Sequence, residues 1–284
     1  MNLSCAGISR ASRFSPNREC HDAAVFALTA EYLREEGWQV ELFTEESFLT
    51  SRDDRPCIFH MARGCETLDR LKELEDNHAS VINTTPSIRN CRRDRLTSIL
   101  LQNGIPYPDS FIIDATGSIE ERLRQTGMES CWLKRSDAHT THPEDIGFAP
   151  TADDARRLLA SFAARGIGQV IVNRHLPGDV IKFYGVEGEP FFYWCYPTSK
   201  GLDKFGNERI NGTTTRIPFE EEALRDIASH AARLLGLCIY GGDAIVSPDG
   251  SVYLVDINDW PSFSPCLREA VAHIGRAIIK NFTR

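Results

Sequence analysis

The chain has 284 residues, of which 42% are hydrophobic, and its formal net charge of −8 argues against general binding to nucleic acid or to an anionic membrane surface. No apolar run is long enough to span a bilayer, and the nine cysteines lie singly without a Cys-x-x-Cys pair, which argues against a disulfide framework or a zinc cluster. We therefore expect a cytoplasmic enzyme of two or three lobes that acts on a small molecule, with no nucleic-acid or membrane partner and with its oligomeric state left open.

Residues 1–85 alternate short apolar runs with helical patterns, which predicts an N-terminal α/β domain. Strands are expected at residues 3–8, 40–43, 57–61 and 81–83, with an amphipathic helix at residues 23–36. This alternation is typical of a mostly parallel sheet covered by helices. Arginines, among them Arg13 and Arg63, follow predicted strands at the edge where such sheets usually bind ligands.

Residues 86–172 form the second predicted unit, a central lobe. A helix is expected around residues 96–101, where Asn103 and Gly104 end it, and strands are expected at residues 111–113, 131–134 and 170–172. The middle strand ends in Lys134, and a polar loop follows it.

Residues 173–284 form the third predicted unit. A Gly-Glu-Pro turn at residues 188–190 joins two β-prone runs into an antiparallel pair, and a helix around residues 224–235 follows. Two further strands and a final helix at residues 267–279 complete the unit.

Three oxygen-bearing side chains, Asp243, Asp256 and Asn258, lie on the two strands before the last helix. A Ser-Pro-Asp-Gly turn at residues 247–250 joins these strands into a hairpin. Side chains two residues apart in a strand point the same way, so Asp256 and Asn258 share a face, and Asp243 on the partner strand lies across from them. Two carboxylates and one amide suit Mg²⁺, which proteins hold with few carboxylates plus nucleotide phosphates.

The order of these features resembles the ATP-grasp superfamily. A lysine ends a strand, a polar loop and an apolar strand lead to a hinge, and an Asp-x-x-Lys precedes the Asp … Asp-x-Asn hairpin, over residues 94–284. The resemblance implies an ATP-grasp fold of α+β lobes, preceded by an N-terminal parallel-sheet domain. It further implies that ATP lies between two lobes and that the hairpin holds Mg²⁺ on the β- and γ-phosphates.

Carried over position by position, the resemblance implies that Lys134 and Lys182 contact the nucleotide phosphates and act in catalysis. Arg95 stands where a helix-borne lysine usually contacts phosphate, and Asp243, Asp256 and Asn258 match the Mg²⁺ ligands. The adenine would be held by the backbone of a hinge that contains Val172, Asn173, Arg174, His175 and Leu176.

Within the superfamily the chain looks most similar to the inositol trisphosphate/tetrakisphosphate kinases. Its Ala-His-Thr-Thr loop at residues 138–141 resembles their histidine loop, and Lys182 and the Asp-Ile-Asn of the hairpin agree with their pattern. The implied function is phosphorylation of a hydroxyl on an inositol phosphate or related phosphorylated polyol. His139 would then contact both ATP and the acceptor, and Arg13 and Arg63 would bind acceptor phosphates.

Two other interpretations stay open. The chain is also similar to the ribosomal-protein glutamate ligases, which join a carboxylate to an amine through an acylphosphate. Arg209 begins an Arg-x-Asn of the kind that steadies the acylphosphate in such ligases. The third interpretation is a non-catalytic nucleotide-binding module, against which the complete Asp243, Asp256 and Asn258 set argues.

Overall fold

The computed structural model describes residues 3–15, 19–137, 142–197 and 210–283. Within these ranges the chain forms three four-stranded sheets, the first parallel and the other two antiparallel. The mixed α/β class and the N-terminal parallel sheet predicted from the sequence are therefore confirmed. None of the helices in the described ranges is long and apolar enough to cross a membrane.

The N-terminal sheet has the strand order β2-β1-β3-β4. Its inner strand β1 is buried on both faces: Cys5 joins a core with the first helix, and Ala6 and Ile8 join a second core with the next two helices. A parallel strand covered on both sides is expected to read as a continuous apolar run. The elements are β1 (Ser4–Ser9), α1 (Glu19–Glu35), β2 (Gln39–Thr44), α2 (Glu45–Thr50), β3 (Cys57–His60), α3 (Cys65–Asp76), β4 (Ser80–Ile82) and α4 (Thr85–Asn90).

The central sheet has the strand order β5-β8-β6-β7. Two helices pack against it, and among the described residues its core consists of side chains between Phe111 and Val172. Ile119 and Leu123 of one helix and Leu159 and Phe162 of the other fill that core. The elements are α5 (Arg93–Gln102), β5 (Ser110–Asp114), α6 (Ile119–Thr126), β6 (Cys131–Arg135), β7 (Ile146–Ala149), α7 (Ala152–Ala164) and β8 (Gln169–Arg174).

The C-terminal sheet has the strand order β10-β9-β11-β12. The amphipathic helix α8 covers one of its faces with Leu224, Ala228, Ala231 and Leu235. The elements are β9 (Asp179–Val186), β10 (Phe192–Cys195), α8 (Glu221–Leu235), β11 (Ile239–Val246), β12 (Val252–Asp259) and α9 (Leu267–Phe282).

Helix α9 joins the C-terminal sheet to the N-terminal lobe. Its buried residues share one apolar cluster with Phe26 of α1, Trp38, and Tyr184 of β9. Asn83 adds polar links, because its Nδ2 donates to the carbonyl of Ile239 at 2.7 Å and its Oδ1 accepts from the Ile239 amide at 2.9 Å. The first and third sheets therefore form one body, whereas the central sheet has a core of its own.

Helix α5 packs against the third sheet. Leu96 and Leu100 lie in one cluster with Leu224 of α8 and Leu254 of β12. The domain boundaries after residues 85 and 172 stay predictions, and this packing favours a central lobe that begins after residue 107.

Candidate active site

A cavity of about 340 Å³ lies between the central and C-terminal sheets. Trp132, Lys134 and Asn173 line it from the central sheet, and Arg10 and Arg63 line it from the N-terminal lobe. This volume lies within the range of small-molecule sites. The cavity is therefore lined by two of the sheets and by loops and helix α1 of the N-terminal lobe.

Strand alternation on β9 separates cavity residues from core residues. Val180, Lys182 and Tyr184 line the cavity, whereas Ile181 and Phe183 are fully buried on the opposite face, against the α8 cluster. Successive side chains of a strand point to opposite faces of a sheet, so each apolar residue between them anchors its polar neighbour.

The three predicted metal-binding side chains line this same face. Asp243 of β11 pairs directly with Asp256 of β12, and Asn258 pairs with Gly241. The pairing shifts by one residue after Asp243, so Val255 is an extra residue in β12. Such a bulge turns the strand locally and re-aims the neighbouring side chains.

These donors fit Mg²⁺ with part of its coordination sphere supplied by other oxygens. The described ranges contain no group of three or more His, Cys, Asp or Glu side chains that could hold a metal ion. The set instead offers two carboxylates and one amide, all partly exposed to the cavity. Magnesium usually takes one or two carboxylates and completes its shell with water and phosphate oxygens.

Two lysines face these carboxylates from different sheets. Lys182 Nζ lies 2.7 Å from Asp243 Oδ1, within the sheet that carries both. Lys134 reaches across from β6 and donates to the carbonyl of Val255 at 3.4 Å. Burial lowers the pKa of Lys134 to about 8, helped by the charge of Arg93 and opposed by Asp256 and Asp243. A polyanion between the sheets would raise the pKa of this lysine again and so favour its charged state.

No family model matches the chain, and no curated protein matches it. Solved structures do match over nearly the whole length. A D-alanine–D-alanine ligase from Coxiella burnetii has a TM-score of 0.71 at 15% identity, with 99% of this chain and 96% of that chain covered. The chain has the ATP-grasp fold.

Two further structures are similar to this one. The D-cycloserine synthetase DcsG has a TM-score of 0.66 at 15% identity, covering 98% of this chain and 99% of that chain. The ATP-grasp ligase PsnB, complexed with minimal precursor, Mg and ADP, has a TM-score of 0.64 at 14% identity, covering 99% and 98%. The superfamily resemblance is therefore supported at the level of the fold, and these comparisons give no support to the inositol phosphate kinase group.

The predicted hinge lies along β8 of the ATP-grasp fold and just beyond it. Asn173, Arg174 and Leu176 line the cavity, while Val172 is fully buried in the central core. His175 packs against aromatic rings of the central sheet, and its Nδ1 accepts from the indole N–H of Trp132 at 3.2 Å.

Arg174 is bound by the central lobe. Its guanidinium pairs with Asp109 at 3.0 Å and donates to the carbonyls of Thr126 and Gly127. An adenine-binding role for the whole hinge stays a prediction, and these bonds explain how an arginine is tolerated at this position.

Some predicted residues lie away from the cavity. Arg95 is exposed on α5 and Arg13 is exposed beside Phe14, and neither lines the cavity. Arg93, two residues before Arg95, is buried and does line it. The phosphate contact that the resemblance implies for Arg95 stays a prediction, and Arg93 is the arginine of α5 that lines the cavity. His139 and Arg209 lie outside the described residues.

Asp259 is a residue of this site that the sequence did not reveal. It is fully buried, and its Oδ1 accepts from Arg63 Nη2 at 2.8 Å. Its Oδ2 lies 3.6 Å from Arg10 Nη2. The adjacent Asn258 marked the region, but the two arginine partners come from distant loops.

Proposed function

We propose that this protein is a Mg·ATP-dependent ligase that activates a carboxylate as an acylphosphate and joins it to an amine. The observation that carries the proposal is the convergence of Lys134, Lys182, Asp243, Asp256 and Asn258 on one cavity in an ATP-grasp fold. The similar structures reported above are ligases or a synthetase.

The oxygen-bearing and the basic side chains of the site have different roles. Asp243, Asp256 and Asn258 would hold Mg²⁺, which when bound neutralises phosphate oxygens. Lys134 and Lys182 would donate to the nucleotide phosphates from opposite walls. Positioning and charge neutralisation are the main requirements of phosphoryl transfer, and this arrangement supplies both.

The reaction proceeds in two balanced steps. A carboxylate oxygen of the substrate attacks the γ-phosphorus of ATP, the bond to the bridging oxygen breaks, and ADP leaves. The amine then attacks the acyl carbon, inorganic phosphate leaves with the C–O bonding electrons, and the nitrogen loses a proton.

The geometry of the arginines favours a ligase over a polyphosphate kinase. A highly phosphorylated acceptor needs several open basic side chains, yet all three nitrogens of Arg10 are bound by the protein and Arg63 is already paired with Asp259 through one of its nitrogens. Arg89 pairs with the exposed Asp69 outside the cavity. The phosphorylated-polyol acceptor predicted from the sequence therefore becomes the second candidate function.

Hydroxylamine trapping tests the proposal. The protein is incubated with Mg·ATP, hydroxylamine and a pool of amino acids or short peptides, and hydroxamate and ADP are measured together. We expect equal amounts of both products. The same incubation with pooled inositol phosphates is followed by ³¹P NMR, and a new phosphate-monoester resonance without hydroxamate would support the kinase and overturn the ligase.

A further inference from the structure

One end of the cavity is built around a buried network of alternating charges. The network runs in space from Asp22 through Arg10 and Asp259 to Arg63. Arg10 Nη1 lies 3.0 Å from Asp22 Oδ2, and Arg63 Nη2 lies 2.8 Å from Asp259 Oδ1. All four residues line the cavity. The two acids and two bases balance in charge, so the network has no excess charge of its own.

Arg10 is fully engaged by the protein. Its Nε donates to the carbonyl of Met61 at 3.1 Å, its Nη1 to Asp22, and its Nη2 to the carbonyl of Trp260 at 2.9 Å. With each nitrogen committed, Arg10 acts as a support that fixes Asp259.

Among the described residues, the guanidinium of Arg63 is hydrogen-bonded through a single nitrogen. Both of its side-chain hydrogen bonds use Nη2, to the carboxylate and the carbonyl of Asp259, and the described residues give its buried Nε no acceptor. The side chain is 12% exposed, and it lines the cavity. A guanidinium carries five N–H donors, and these two bonds use those of one nitrogen, so Arg63 keeps donors for an anion in the cavity.

The loop that carries Arg63 is itself fixed. The buried carboxylate of Glu45 accepts from the backbone amides of Ala11 at 2.9 Å and Gly64 at 2.8 Å. The loops after β1 and β3 are thereby joined at one point, which holds Arg63 in a set direction. Preorganised donors of this kind bind an anion without a further ordering cost.

Hydroxyl donors also line this cavity, on the segment that follows Asp259, the carboxylate partner of Arg63. Ser262 and Ser264, in the segment between β12 and α9, line it together with Arg63. Their two Oγ atoms are 3.5 Å apart. A guanidinium and two hydroxyls are the donors that carboxylate and phosphate groups accept from.

We propose that Arg63, with Ser262 and Ser264, binds a second anionic group of the substrate, in addition to the carboxylate that ATP activates. The substrate class is therefore an amino acid or peptide with an extra carboxylate or phosphate. The identity of the reacting carboxylate rests on the proposed function; the anion subsite itself rests on the geometry of the cavity.

Matched pairs of compounds test this subsite. L-glutamate is compared with L-glutamine, and O-phospho-L-serine with L-serine, as saturation-transfer NMR ligands of the full chain with Mg²⁺ and a non-hydrolysable ATP analogue. We expect the anionic member of one pair to bind at least about tenfold more tightly than its neutral partner, and the pair that shows this tells carboxylate from phosphate. Equal binding of both members in both pairs would overturn the subsite.

Variants then assign the preference to Arg63. Arg63→Gln should weaken binding of the anionic compound about 30-fold and leave the neutral one unchanged, and Arg63→Lys should lose less because it keeps the charge without the planar fork. The double variant Arg63→Gln/Asp259→Asn removes the carboxylate that the single variant leaves unpaired, so it tests the same point if the single variant is unstable. Arg89→Gln, in an exposed pair of the same lobe, should bind like the wild type. Wild-type affinity in the folded Arg63 variants would contradict the inference.

The two proposals fail separately. Hydroxamate without any preference for the anionic compounds would support the ligase and refute the subsite. Selective, Arg63-dependent binding without hydroxamate would support the subsite and refute the ligase.

Discussion

At the scale of single residues, the site consists of charges whose partners come from different sheets. Lys182 and Asp243 lie on neighbouring strands, whereas Lys134 approaches from the central lobe. Burial lowers the pKa of Lys134 to about 8, so a new negative charge nearby would shift the balance between its neutral and charged forms. Substitutions here should alter activity more than stability, because the carboxylates face a cavity and not a core.

Asp256→Asn should abolish turnover. The substitution keeps the size of the side chain but removes one of two negative ligands, and we expect ADP formation to fall at least about 100-fold. Circular dichroism should show an unchanged fold. Asp249→Asn, at the exposed tip of the same hairpin, is the matched control, and near-wild-type activity of Asp256→Asn would show that the metal assignment is wrong.

Because His60 is buried, the folded protein should become less stable as the pH falls into the mildly acidic range. Burial lowers the pKa of His60 to about 4, opposed by the carbonyl of Asn83, which lies 2.8 Å from Nε2. The unfolded chain therefore takes up a proton first as pH falls, and stability is lost from about pH 6.5 down to about pH 4, at roughly 1.4 kcal/mol per pH unit.

Thermal or urea unfolding at pH 7 and pH 5 measures this loss. His60→Gln should lose about 2 kcal/mol less than the wild type over this interval, since most of the affected window lies inside it. His21→Gln, at an exposed position, should follow the wild type. An identical pH dependence in His60→Gln would refute the assignment.

At the scale of elements, the packing of strand β11 between β9 and β12 requires a glycine at position 242. A Cβ at Gly242 would lie 2.1 Å from the carbonyl oxygen of Asp256 and 2.7 Å from the ring of Phe183. Neither atom can move without moving a strand of the site. The close approach of β11 and β12 thus depends on this position.

Gly242→Ala should therefore lower both stability and activity. Overpacking of this kind costs about 1–3 kcal/mol, and displacement of Asp256 should reduce turnover further. Gly168→Ala is the control, because a Cβ there meets no atom within 4 Å. Chemical unfolding and ADP formation measure both effects, and a stable, active Gly242→Ala would contradict the steric argument.

The sequence predicted the hairpin because its information is local. The Pro-Asp-Gly turn and the alternation on each side suffice to pair β11 with β12. Strand β7 was missed, since four residues after a polar loop carry too little periodicity. The bulge at Val255 depends on the pairing register, and the choice between Arg93 and Arg95 depends on which side of α5 is packed, so neither is encoded locally.

At the scale of the whole molecule, the cavity lies between two bodies with separate cores. The central sheet has its own cluster, while the other two sheets share one through α9. The sequence predicted three successive units, but it gave no sign that the first and last are packed together, because that contact joins residues far apart in the chain. A nucleotide in the cavity would add a link between the bodies to the direct contacts, such as that of Lys134 with Val255.

Nucleotide binding should accordingly protect strands on both sides of the cavity. With Mg²⁺ and a non-hydrolysable ATP analogue, amide hydrogen exchange should slow in β6 and β8 of one body and in β9 and β12 of the other. The edge strand β2, on the far side of the N-terminal sheet, should be unaffected. At about 100 times Kd the ligand should add about 2.7 kcal/mol of stability, and protection confined to one body would argue against binding between the sheets.

The position of α9 also bears on how the protein is made. Val25, Phe26 and Leu33 of the first helix pack against residues of the last helix, such as Ile274 and Ile278. During synthesis the first lobe leaves the ribosome long before that partner exists, so one apolar side of α1 stays uncovered while the rest of the chain is translated. The apolar side of α1 therefore becomes covered only after α9 has been translated.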